Sequence, residues 1–398
     1  MNRRQFIAAT ASATAVTAWS LPGQSAPPAR RLRVAIIGHT GRGNYGHGLD
    51  KVWLMLPEIE IVGVADADEK GLAVAQGRLK TKGFTDYRRM LAEVKPDLVA
   101  IAPRFVDEHH AMAMAAITGG ARGIYVEKPL CRTLVEADEL VAACAKHRCK
   151  CAVAHRNRYN PTLPVLERLV REGVIGRLLE IRGRGKEDKR GGGEDLWVLG
   201  SHVLNVSVVF TGKPVTGSAT LLAKGRLATK ADLTDGSDAV GPVAGDALHA
   251  RFETERGIPI YFDSVANAGT KDSGFGLQLI GTEGVIDLRL DQHPIAHLLA
   301  GSPFVPAAKP RAWVPITTAG IGQPEPLADI TQLVRDHLLP ARDLVGAVNS
   351  DRQPLCNEQD GRLTVEMVMA IFESHRLKGQ RVAFPLVTRR HPLELPFT

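Results

Sequence analysis

The feature that most constrains the fold is a β-branched stretch that runs directly into a glycine-rich turn. Arg33 to Ile37 predicts a buried strand, and residues 38–46 read Gly-His-Thr-Gly-Arg-Gly-Asn-Tyr-Gly. Glycines let a backbone turn sharply and approach a diphosphate, while the next segment offers free N–H groups to the anion. Counted from Gly38 the usual glycine spacing is broken at Thr40, whereas counted from Gly41 it is kept. The stretch therefore predicts a nucleotide-binding loop.

Further strands follow at the spacing of an alternating α/β domain. Ile59 to Ala65, Asp97 to Ala102 and the start of the apolar run Ile124 to Leu130 predict strands, and Cys131 to His147 predicts an amphipathic helix. Strands that alternate with helices in this way form a doubly wound parallel sheet. The sequence therefore predicts a Rossmann-type domain over residues 32–154.

An acidic residue closes the second predicted strand. Asp66 stands where a carboxylate binds the ribose hydroxyls of adenosine. It is followed by Ala67 rather than by a basic residue, which favours NAD over NADP, although Lys70 and Arg42 are basic residues nearby. The alternative is that Asp66 caps the helix that begins near Asp68.

A carboxylate, an amine and a proline, Glu127-Lys128-Pro129, end the apolar run that begins at Ile124. Ligands bind outside the carboxyl ends of parallel strands, and Pro129 keeps the backbone of Lys128 extended. A lysine partly withdrawn from water has its pKa lowered towards neutrality, where its amine can exchange a proton with a substrate hydroxyl. The alternative is a surface Glu–Lys ion pair.

The first 31 residues have the features of a targeting segment and linker. Arg3 and Arg4 precede Ala8 to Trp19, which is apolar but diluted by Thr and Ser. This predicts a twin-arginine export signal, cleaved after Ser25 or near Ser20, and a periplasmic or exported mature protein. Export in the folded state suits a protein that acquires a tightly held cofactor in the cytoplasm. The alternative is a disordered basic N-terminus.

The composition is that of an ordinary globular protein and excludes several classes. Of 398 residues 44% are hydrophobic and 23% are charged, and outside the N-terminus no stretch is long and apolar enough to cross a bilayer. The formal charge is +7, and the Lys and Arg residues are scattered along the chain. Their densest cluster, Arg182 to Arg190, is interleaved with Gly, Glu and Asp. Nucleic acid is therefore not an expected partner. Five cysteines, including Cys149 and Cys151, match neither a zinc spacing nor a disulfide framework, and no metal site is predicted.

Residues 155–398 predict a second, α+β domain with an antiparallel sheet packed on helices. The predicted helices are Pro161–Glu172, Leu196–Phe210, Leu327–Asn349 and Gly361–Lys378. The predicted strands are Leu178–Arg182, Asp246–Phe252, Ile258–Ser264, Gly276–Gly281 and Gly284–Leu290, with Gly379–Leu386 as extended chain. The proline-rich segment Pro303–Pro326 predicts a surface loop or lid.

Several motifs occur together along nearly the whole chain after the signal. They are the glycine loop from Gly38, Asp66, Glu127-Lys128-Pro129, Arg156-Asn-Arg-Tyr-Asn-Pro161, Glu172-Gly-Val-Ile-Gly176, the segment around His202, Gly361–Glu366 and Ala370–Leu386. This joint pattern resembles the Gfo/Idh/MocA family, named for glucose-fructose oxidoreductase and inositol dehydrogenase. The resemblance implies NAD as cofactor, a carbohydrate substrate, and a homodimer or homotetramer formed through the exposed face of a large sheet.

The resemblance also implies roles for individual residues. Lys128 is expected to contact the substrate hydroxyl, His202 to be a second proton-handling group, and Glu127 and Pro129 to shape the edge of the nicotinamide. For His202 the alternative is a buried, hydrogen-bonded histidine. The expected cofactor-binding residues of the loop and second strand are Gly38, Thr40, Gly41, Arg42, Gly43 and Asp66.

One position departs from the family pattern. The family usually has an aspartate one helical turn before the histidine, and here that position is Val198. Glu194 or Asp195 is a candidate replacement, the alternative being an acid that interacts favourably with a helix N-terminus. Arg158 and Tyr159 are further candidates for binding substrate hydroxyls.

Three functions remain open from the sequence. The first is an exported NAD-dependent oxidoreductase acting on a sugar, polyol or sugar derivative. The second is a glycosidase or lyase that oxidises its sugar transiently and causes no net redox change, which would suit a compartment where free NAD is scarce. The third is an NAD-binding protein without catalysis.

Overall fold

The computed structural model of the protein describes residues 30–268 and 275–398. The predicted export signal falls on residues that lie outside this described part, so it stays a prediction. None of the helices within the described residues has the length and apolar character needed to cross a membrane.

The first sheet accounts for the nucleotide-binding half. Its strands are β1 (Leu32–Ile37), β2 (Ile59–Ala65), β3 (Gly83–Phe84), β4 (Leu98–Ile101), β5 (Gly123–Val126) and β6 (Lys150–Val153). They are all parallel and lie in the order β3-β2-β1-β4-β5-β6. The strand order reverses between β1 and β4, and this reversal opens a crevice at the carboxyl edge of the sheet. The predicted doubly wound sheet is confirmed.

Helices α1 (Glu69–Leu79), α2 (Tyr87–Val94), α3 (His109–Thr118) and α4 (Leu134–His147) follow strands of this sheet. Helix α4 begins three residues later than predicted, because Thr133 and Glu136 form a reciprocal capping box. The cap of α1 is Asp68, whose carboxylate accepts a hydrogen bond from the Gly71 N–H at 2.6 Å. Asp66 is therefore not the N-cap residue, but its carboxylate accepts a hydrogen bond from the Asp68 N–H at 3.0 Å.

The second half forms a large, mostly antiparallel sheet, as predicted. Its strands and those of a separate small hairpin (β10 and β11) are β7 (Leu178–Arg184), β8 (Pro214–Ala223), β9 (Arg226–Leu227), β10 (Thr234–Asp235), β11 (Pro242–Val243), β12 (Ala247–Thr254), β13 (Ile260–Val265), β14 (Gly276–Gly281), β15 (Gly284–Arg289), β16 (Ala296–Ala300), β17 (Val314–Thr317), β18 (Gly320–Ile321) and β19 (Val382–Ala383). Within the described residues the order is β18-β17-β16-β15-β14-β7-β13-β12-β8-β19, with β9 paired to β8. The pair β7 and β13 is parallel.

The second half also contains helices. They are α5 (Leu163–Arg171), α6 (Gly192–Asp195), α7 (Ser201–Thr211), α8 (Ile330–Arg335), α9 (Leu338–Ser350) and α10 (Glu358–Arg376), and a π-helical turn (Leu196–Gly200) joins α6 to α7. Of these, α6, α7 and α10 pack on the large sheet. Buried and exposed residues alternate along β8 and β12, so one sheet face is in the core. Helix α10 supplies the opposing apolar surface, from Val365 to Phe372.

Two predicted elements of the second half are corrected. The segment Pro303–Pro326 is not wholly a loop or lid, because β17 and β18 extend the sheet within it. The predicted helix Leu327–Asn349 is divided into α8 and α9, since His337 adopts a left-handed backbone with φ of 60°. Helix α9 packs on β5 and β6 of the first sheet, where Leu344, Val345 and Val348 are buried. It thereby brings His337 to the carboxyl edge of that sheet.

Candidate active site

A cleft of about 280 Å³ contains the predicted catalytic residues. The first sheet and its loops contribute His47, Arg104, Glu127, Lys128, Ala154 and Arg156. The later part of the chain contributes Lys186, Arg190, Val198, Leu199, His202, Asp238, Phe275, Asp291 and His337. A larger groove of about 850 Å³, beside α5 and the end of α7, contains none of the predicted site residues, so size does not identify the site.

Lys128 lies at the bottom of this cleft, directly after β5. Its side chain is 8% exposed, and Nζ donates a hydrogen bond to the backbone carbonyl of Val198 at 2.7 Å. Burial lowers the pKa of the amine below 10.5, while the carboxylates of Glu127 and Asp238 act in the opposite direction. A neutral amine is therefore easier to reach here than on an open surface, which is what proton exchange with a hydroxyl requires.

Val198 stands at the position where the family usually has an aspartate, and its backbone carbonyl makes a polar contact with Lys128. It belongs to the π-helical turn Leu196–Gly200, and it is the main-chain oxygen, not a side chain, that accepts from Lys128. π-helical turns are often found at functional sites. A carbonyl can orient an amine but cannot take up its proton, so the contact fixes the position of Lys128 without acting as an acid or base.

Glu127 lies next to the amine and is almost completely buried. Its Oε1 is 2.7 Å from His47 Nδ1. Burial opposes ionisation of Glu127, but the hydrogen bond from His47 and the charges around it outweigh burial and lower the pKa to about 2. Glu127 is therefore a fixed negative charge beside Lys128 rather than a proton donor.

His202 lies on α7 and faces the same cleft. Burial is the main reason why its pKa is far below 6.5, with Lys128 and His155 adding to the effect. Its Nδ1 has no hydrogen-bond partner among the described residues, so the alternative of a hydrogen-bonded structural histidine receives no support at that atom. His155 packs edge-on against it with ring centroids 5.3 Å apart, and burial likewise lowers the pKa of His155 to about 3. Both imidazoles are neutral near pH 7.

Asp195 does not line the cleft, and its proposed role as the missing acid is not supported by the geometry. Its buried carboxylate accepts hydrogen bonds from the backbone N–H groups of Lys186 and Glu187, at 3.3 and 3.2 Å, and from Ser264 Oγ at 2.7 Å. It therefore fastens the loop that follows β7. Glu194 is half-buried and also lies outside the cleft lining. Of the residues that the structure describes, Asp238 and Asp291 are the carboxylates that line the cleft with Glu127.

Arg158 and Tyr159 also face away from the cleft. Arg158 donates to the Asn205 carbonyl at 2.9 Å and lies 3.7 Å from Asp360, while the Tyr159 hydroxyl accepts from the Cys356 N–H at 3.1 Å. Both side chains tie the short turn 156–159 to α7 and α10. Neither residue lines the cleft, whereas Arg156 of the same turn does, so the interpretation of Arg158 and Tyr159 as substrate ligands gains no support from the geometry.

Glycines in the loop allow a left-handed backbone and a close approach to the neighbouring backbone. Gly41 and Gly43 have φ of 84° and 85°, and a Cβ on Gly43 would lie 2.3 Å from the Arg104 backbone nitrogen. A second cavity of about 230 Å³ begins at Gly38 and extends past the ends of β2 and β3, with Asp66, Ala67 and Tyr87 among its lining. A loop that admits only glycine, beside a cavity at the strand ends, fits a dinucleotide.

Three residues of the predicted cofactor set, Thr40, Arg42 and Asp66, are engaged with other groups of the protein. The carboxylate of Asp66 accepts from the Thr40 N–H at 3.0 Å and from Thr40 Oγ1 at 2.7 Å, so it fastens the loop. The guanidinium of Arg42 is paired with Asp107 at 2.6 Å and lies 3.7 Å from Glu108. To contact a ribose hydroxyl, Asp66 would have to give up its hydrogen bond from the Thr40 hydroxyl. The role of Asp66 as a ribose ligand therefore stays a prediction.

Pro129 is held by a neighbouring histidine. The ring nitrogens of His109 lie 2.8 Å from the Pro129 carbonyl and 2.7 Å from the Pro103 carbonyl. His109 thereby connects the segment that carries Lys128 to the end of β4. Within the part of the chain that the structure describes, no cluster of His, Cys, Asp or Glu is arranged to hold a metal ion.

The sequence did not identify several cleft residues. They are His47, Arg104, Arg156, Lys186, Arg190, Asp238, Phe275, Asp291 and His337. Arg156 stands inside a quoted motif and His47 directly follows the glycine loop, so both had a local signal. The others come from loops whose position depends on the second sheet, and no local pattern marks them.

Comparison with known proteins identifies the nucleotide-binding half. Residues 32–155 match the model of the Gfo/Idh/MocA family, an oxidoreductase family with an NAD-binding Rossmann fold. This part of the chain therefore resembles the NAD-binding domain of that family. The match includes the glycine loop, Asp66 and the Glu-Lys-Pro segment, so the predicted cofactor NAD agrees with the family description.

Curated relatives match parts of the chain. It is 31% identical over 189 residues to glycosyl hydrolase family 109 protein 1 of Akkermansia muciniphila, covering 43% of this chain and 38% of that protein. It is 29% identical over 148 residues to D-apiose dehydrogenase of Paraburkholderia graminis, covering 37% of this chain and 38% of that protein. The chain thus spans less than half the length of either relative.

Solved structures share the whole fold. Levoglucosan dehydrogenase in complex with NADH and levoglucosan gives a TM-score of 0.70 at 21% identity, covering 89% of this chain and 99% of that chain. An NAD binding oxidoreductase from Klebsiella pneumoniae gives 0.68 at 20% identity, covering 90% and 100%. These similarities establish that both halves, and not the first alone, have the architecture of such proteins.

Proposed function

We propose that the protein is an NAD-dependent oxidoreductase that transfers a hydride to or from a sugar, a polyol or a sugar derivative. The observation that carries this proposal is the amine of Lys128, buried at the end of β5 in a cleft beside the dinucleotide loop. The family of the first half and the dehydrogenase among the curated relatives support it.

Several cleft residues contribute to proton transfer, each in a different way. When bound, NAD accepts or returns the hydride. In the oxidation direction neutral Lys128 takes the proton of the substrate hydroxyl, so the C–H and O–H bonds of the carbinol are both lost and a carbonyl forms. The Val198 carbonyl keeps Nζ in place, and the charge of Glu127 stabilises the ammonium that results. Neutral His202 is available to hydrogen-bond the same oxygen.

A second function is favoured by the sequence relatives. Two of the matched proteins are glycosyl hydrolase family 109 proteins of Akkermansia muciniphila, at 31% and 32% identity. In that case the oxidation is transient: the aglycone leaves the oxidised sugar, water takes its place at the anomeric carbon, and the hydride returns, so there is no net change in the oxidation state of the cofactor. Lys128 has the same task in both functions, and they diverge only after the first hydride transfer.

One experiment separates these possibilities. The full chain is purified, and co-purifying nicotinamide is measured by absorbance and mass. Sugars, polyols and glycosides are then supplied, and NADH and released aglycone are followed together. NADH that accumulates with a free sugar or polyol supports the oxidoreductase, and aglycone release without NADH supports the redox-neutral enzyme. A chain that neither holds nor binds NAD(H) contradicts both.

We also propose export and self-association. Arg3-Arg4 and the following apolar stretch support twin-arginine export, which replacement of both arginines by lysine should abolish. A homodimer or homotetramer formed through the exposed face of the large sheet would give twice or four times the chain mass by light scattering. A monomer would contradict this assembly.

A further inference from the structure

Among the described residues, the cleft lining contains more cationic than anionic side chains. Arg104, Lys128, Arg156, Lys186 and Arg190 line it together with the carboxylates Glu127, Asp238 and Asp291. The carboxylates are partly engaged, since Glu127 is 2.7 Å from His47 and Asp238 is 3.8 Å from Arg104. Arg104 also touches the glycine loop, which assigns it to the cofactor end of the cleft. The other four cations line the same cleft.

Arg156 is the cleft cation whose charge is least balanced by the described residues. Among the described residues no carboxylate forms an ion pair with it, and its Nη1 donates to the Arg335 backbone carbonyl at 3.2 Å. Glu127 and Asp291 act on it electrostatically without forming such a pair. A half-buried guanidinium presents planar donors that suit a carboxylate, sulfate or phosphate in a bidentate arrangement.

Lys186 and Arg190 are placed at the cleft by a rigid loop. The buried carboxylate of Asp195 binds the backbone of Lys186 and Glu187, and buried Glu187 accepts from the Val265 N–H at 2.9 Å. Arg190 is paired with Asp188 at 2.5 Å, and both Lys186 and Arg190 line the cleft. The loop is therefore fixed before any ligand arrives.

The positive charges in the cleft repel one another, and an anionic ligand can reduce this repulsion. After burial, the charges of Arg156 and Arg190 are among the causes that lower the pKa of Lys128. Like charges in a cleft of low dielectric repel one another, and an anion placed among them is attracted more strongly than on an open surface. The volume of about 280 Å³ is at the small end of ligand sites and suits one sugar unit rather than a nucleotide-linked sugar.

We propose that the substrate is an acidic sugar, a monosaccharide unit that carries a carboxylate, sulfate or phosphate group bound by Arg156 and Lys186 while its reacting hydroxyl lies at Lys128. This inference rests on the proposed function for the position of the hydroxyl. The preference for an anion rests on the charges of the cleft alone.

The test measures binding to the full chain loaded with NADH, so that the cofactor phosphates already occupy their own site. Calorimetry compares D-glucose with D-glucuronate, D-glucose 6-sulfate and D-glucose 6-phosphate, and D-galactose with D-galacturonate. We expect at least one acidic sugar to bind about tenfold or more tightly than its neutral counterpart. The difference should shrink as the salt concentration rises. The three acidic groups identify which anion the site accepts.

Variants of Arg156 and Lys186 test which residues cause the preference for an acidic sugar. Arg156→Gln should remove most of the preference for the acidic sugar, Arg156→Lys should retain part of it, and Lys186→Met should weaken it. Arg168→Gln, at an exposed arginine on α5, is the matched control and should leave it unchanged. The folded state of each variant is checked by its NADH affinity.

Two results overturn the proposal. One is that no acidic sugar of the panel binds more tightly than its neutral counterpart, and the other is that the preference persists in the Arg156→Gln and Lys186→Met double variant. Failure of the proposed function looks different, because NADH would then not bind or no sugar would be oxidised. A chain that oxidises a neutral sugar as well as its acidic counterpart contradicts this inference alone.

Discussion

Replacement of Lys128 by methionine tests the proposed chemistry most specifically. Methionine has nearly the length of the lysine chain and fills the same buried volume, but it has no amine. The hydrogen bond from Nζ to the Val198 carbonyl is lost, which costs stability, while the need to bury an ammonium disappears, which restores it. These opposing effects should leave the free energy of unfolding within about 1 kcal/mol of the parent.

The effect on catalysis should be much larger. A positioned general base contributes about 10²- to 10⁴-fold to a rate, which corresponds to about 3–5 kcal/mol of barrier. We expect Lys128→Met to lower kcat by this factor, with little change in NADH affinity, because the amine is bound to Val198 and not to the glycine loop. Lys128→Arg keeps the positive charge but cannot become neutral, so it should be equally slow in sugar oxidation.

The assay is single-turnover nicotinamide absorbance with the best substrate of the sugar screen, together with urea unfolding and NADH titration. Lys146→Met, at an exposed lysine on α4, is the control and should behave as the parent. Oxidation by the parent should accelerate as the pH rises towards the pKa of Lys128, which burial lowers from 10.5, because only the neutral amine accepts a proton. Normal turnover in Lys128→Met, or full activity in Lys128→Arg, would refute the assignment.

Three further predictions concern the stability of the fold and the binding of NADH. Asp195→Ala should destabilise the chain by about 2–5 kcal/mol in urea unfolding, because three buried donors lose their acceptor; an unchanged midpoint would contradict it. Gly43→Ala should strain the loop by about 1–3 kcal/mol and weaken NADH binding in a fluorescence titration, whereas Gly41→Ala, where no described atom lies within 4 Å, should do so less. Burial raises the pKa of Glu358 to about 7, so the folded chain holds this proton more tightly than the unfolded one and stability falls as the pH rises from 4.5 through 7. Glu358→Gln should therefore stabilise the chain by about 1–3 kcal/mol at pH 8 and hardly at pH 4, and equal effects at both would contradict this.

The parts of the fold that follow from local patterns could be predicted. The β-branched run before Gly38, the run before Glu127 and the alternation between them are enough to define a doubly wound sheet, because parallel strands buried on both faces have continuous apolar sequences. The position of Lys128 at the carboxyl edge follows from the same pattern.

The parts that depend on distant segments could not be predicted. Asp195 follows three glycines and resembles a cleft acid, but its partners Lys186 and Ser264 are set by β7 and β13, which are neighbours only in the folded sheet. Strand β8 was missed because Thr, Gly and Ser interrupt its apolar residues. His337 reaches the cleft because α9 returns to the first sheet, which no pattern near residue 337 indicates.

Arg158 and Tyr159 show a different limit of prediction from a motif. Both are polar residues in a recognisable motif, and the motif was informative about the fold. Only the turn geometry decides that Arg156 faces the cleft while Arg158 and Tyr159 bind α7 and α10. A motif therefore locates a segment more reliably than it assigns roles within it.

The central claim is that Lys128 removes a hydroxyl proton while the hydride of the same carbon leaves a sugar in this cleft. The most direct measurement supplies the full chain and NAD with sugars deuterated at each carbinol carbon and follows deuterium on the nicotinamide by mass spectrometry. The account predicts that deuterium appears from one position with the parent chain and about 10²- to 10⁴-fold more slowly with Lys128→Arg. Deuterium transfer at equal rates in both chains, or no transfer from any sugar or glycoside that binds, would contradict it.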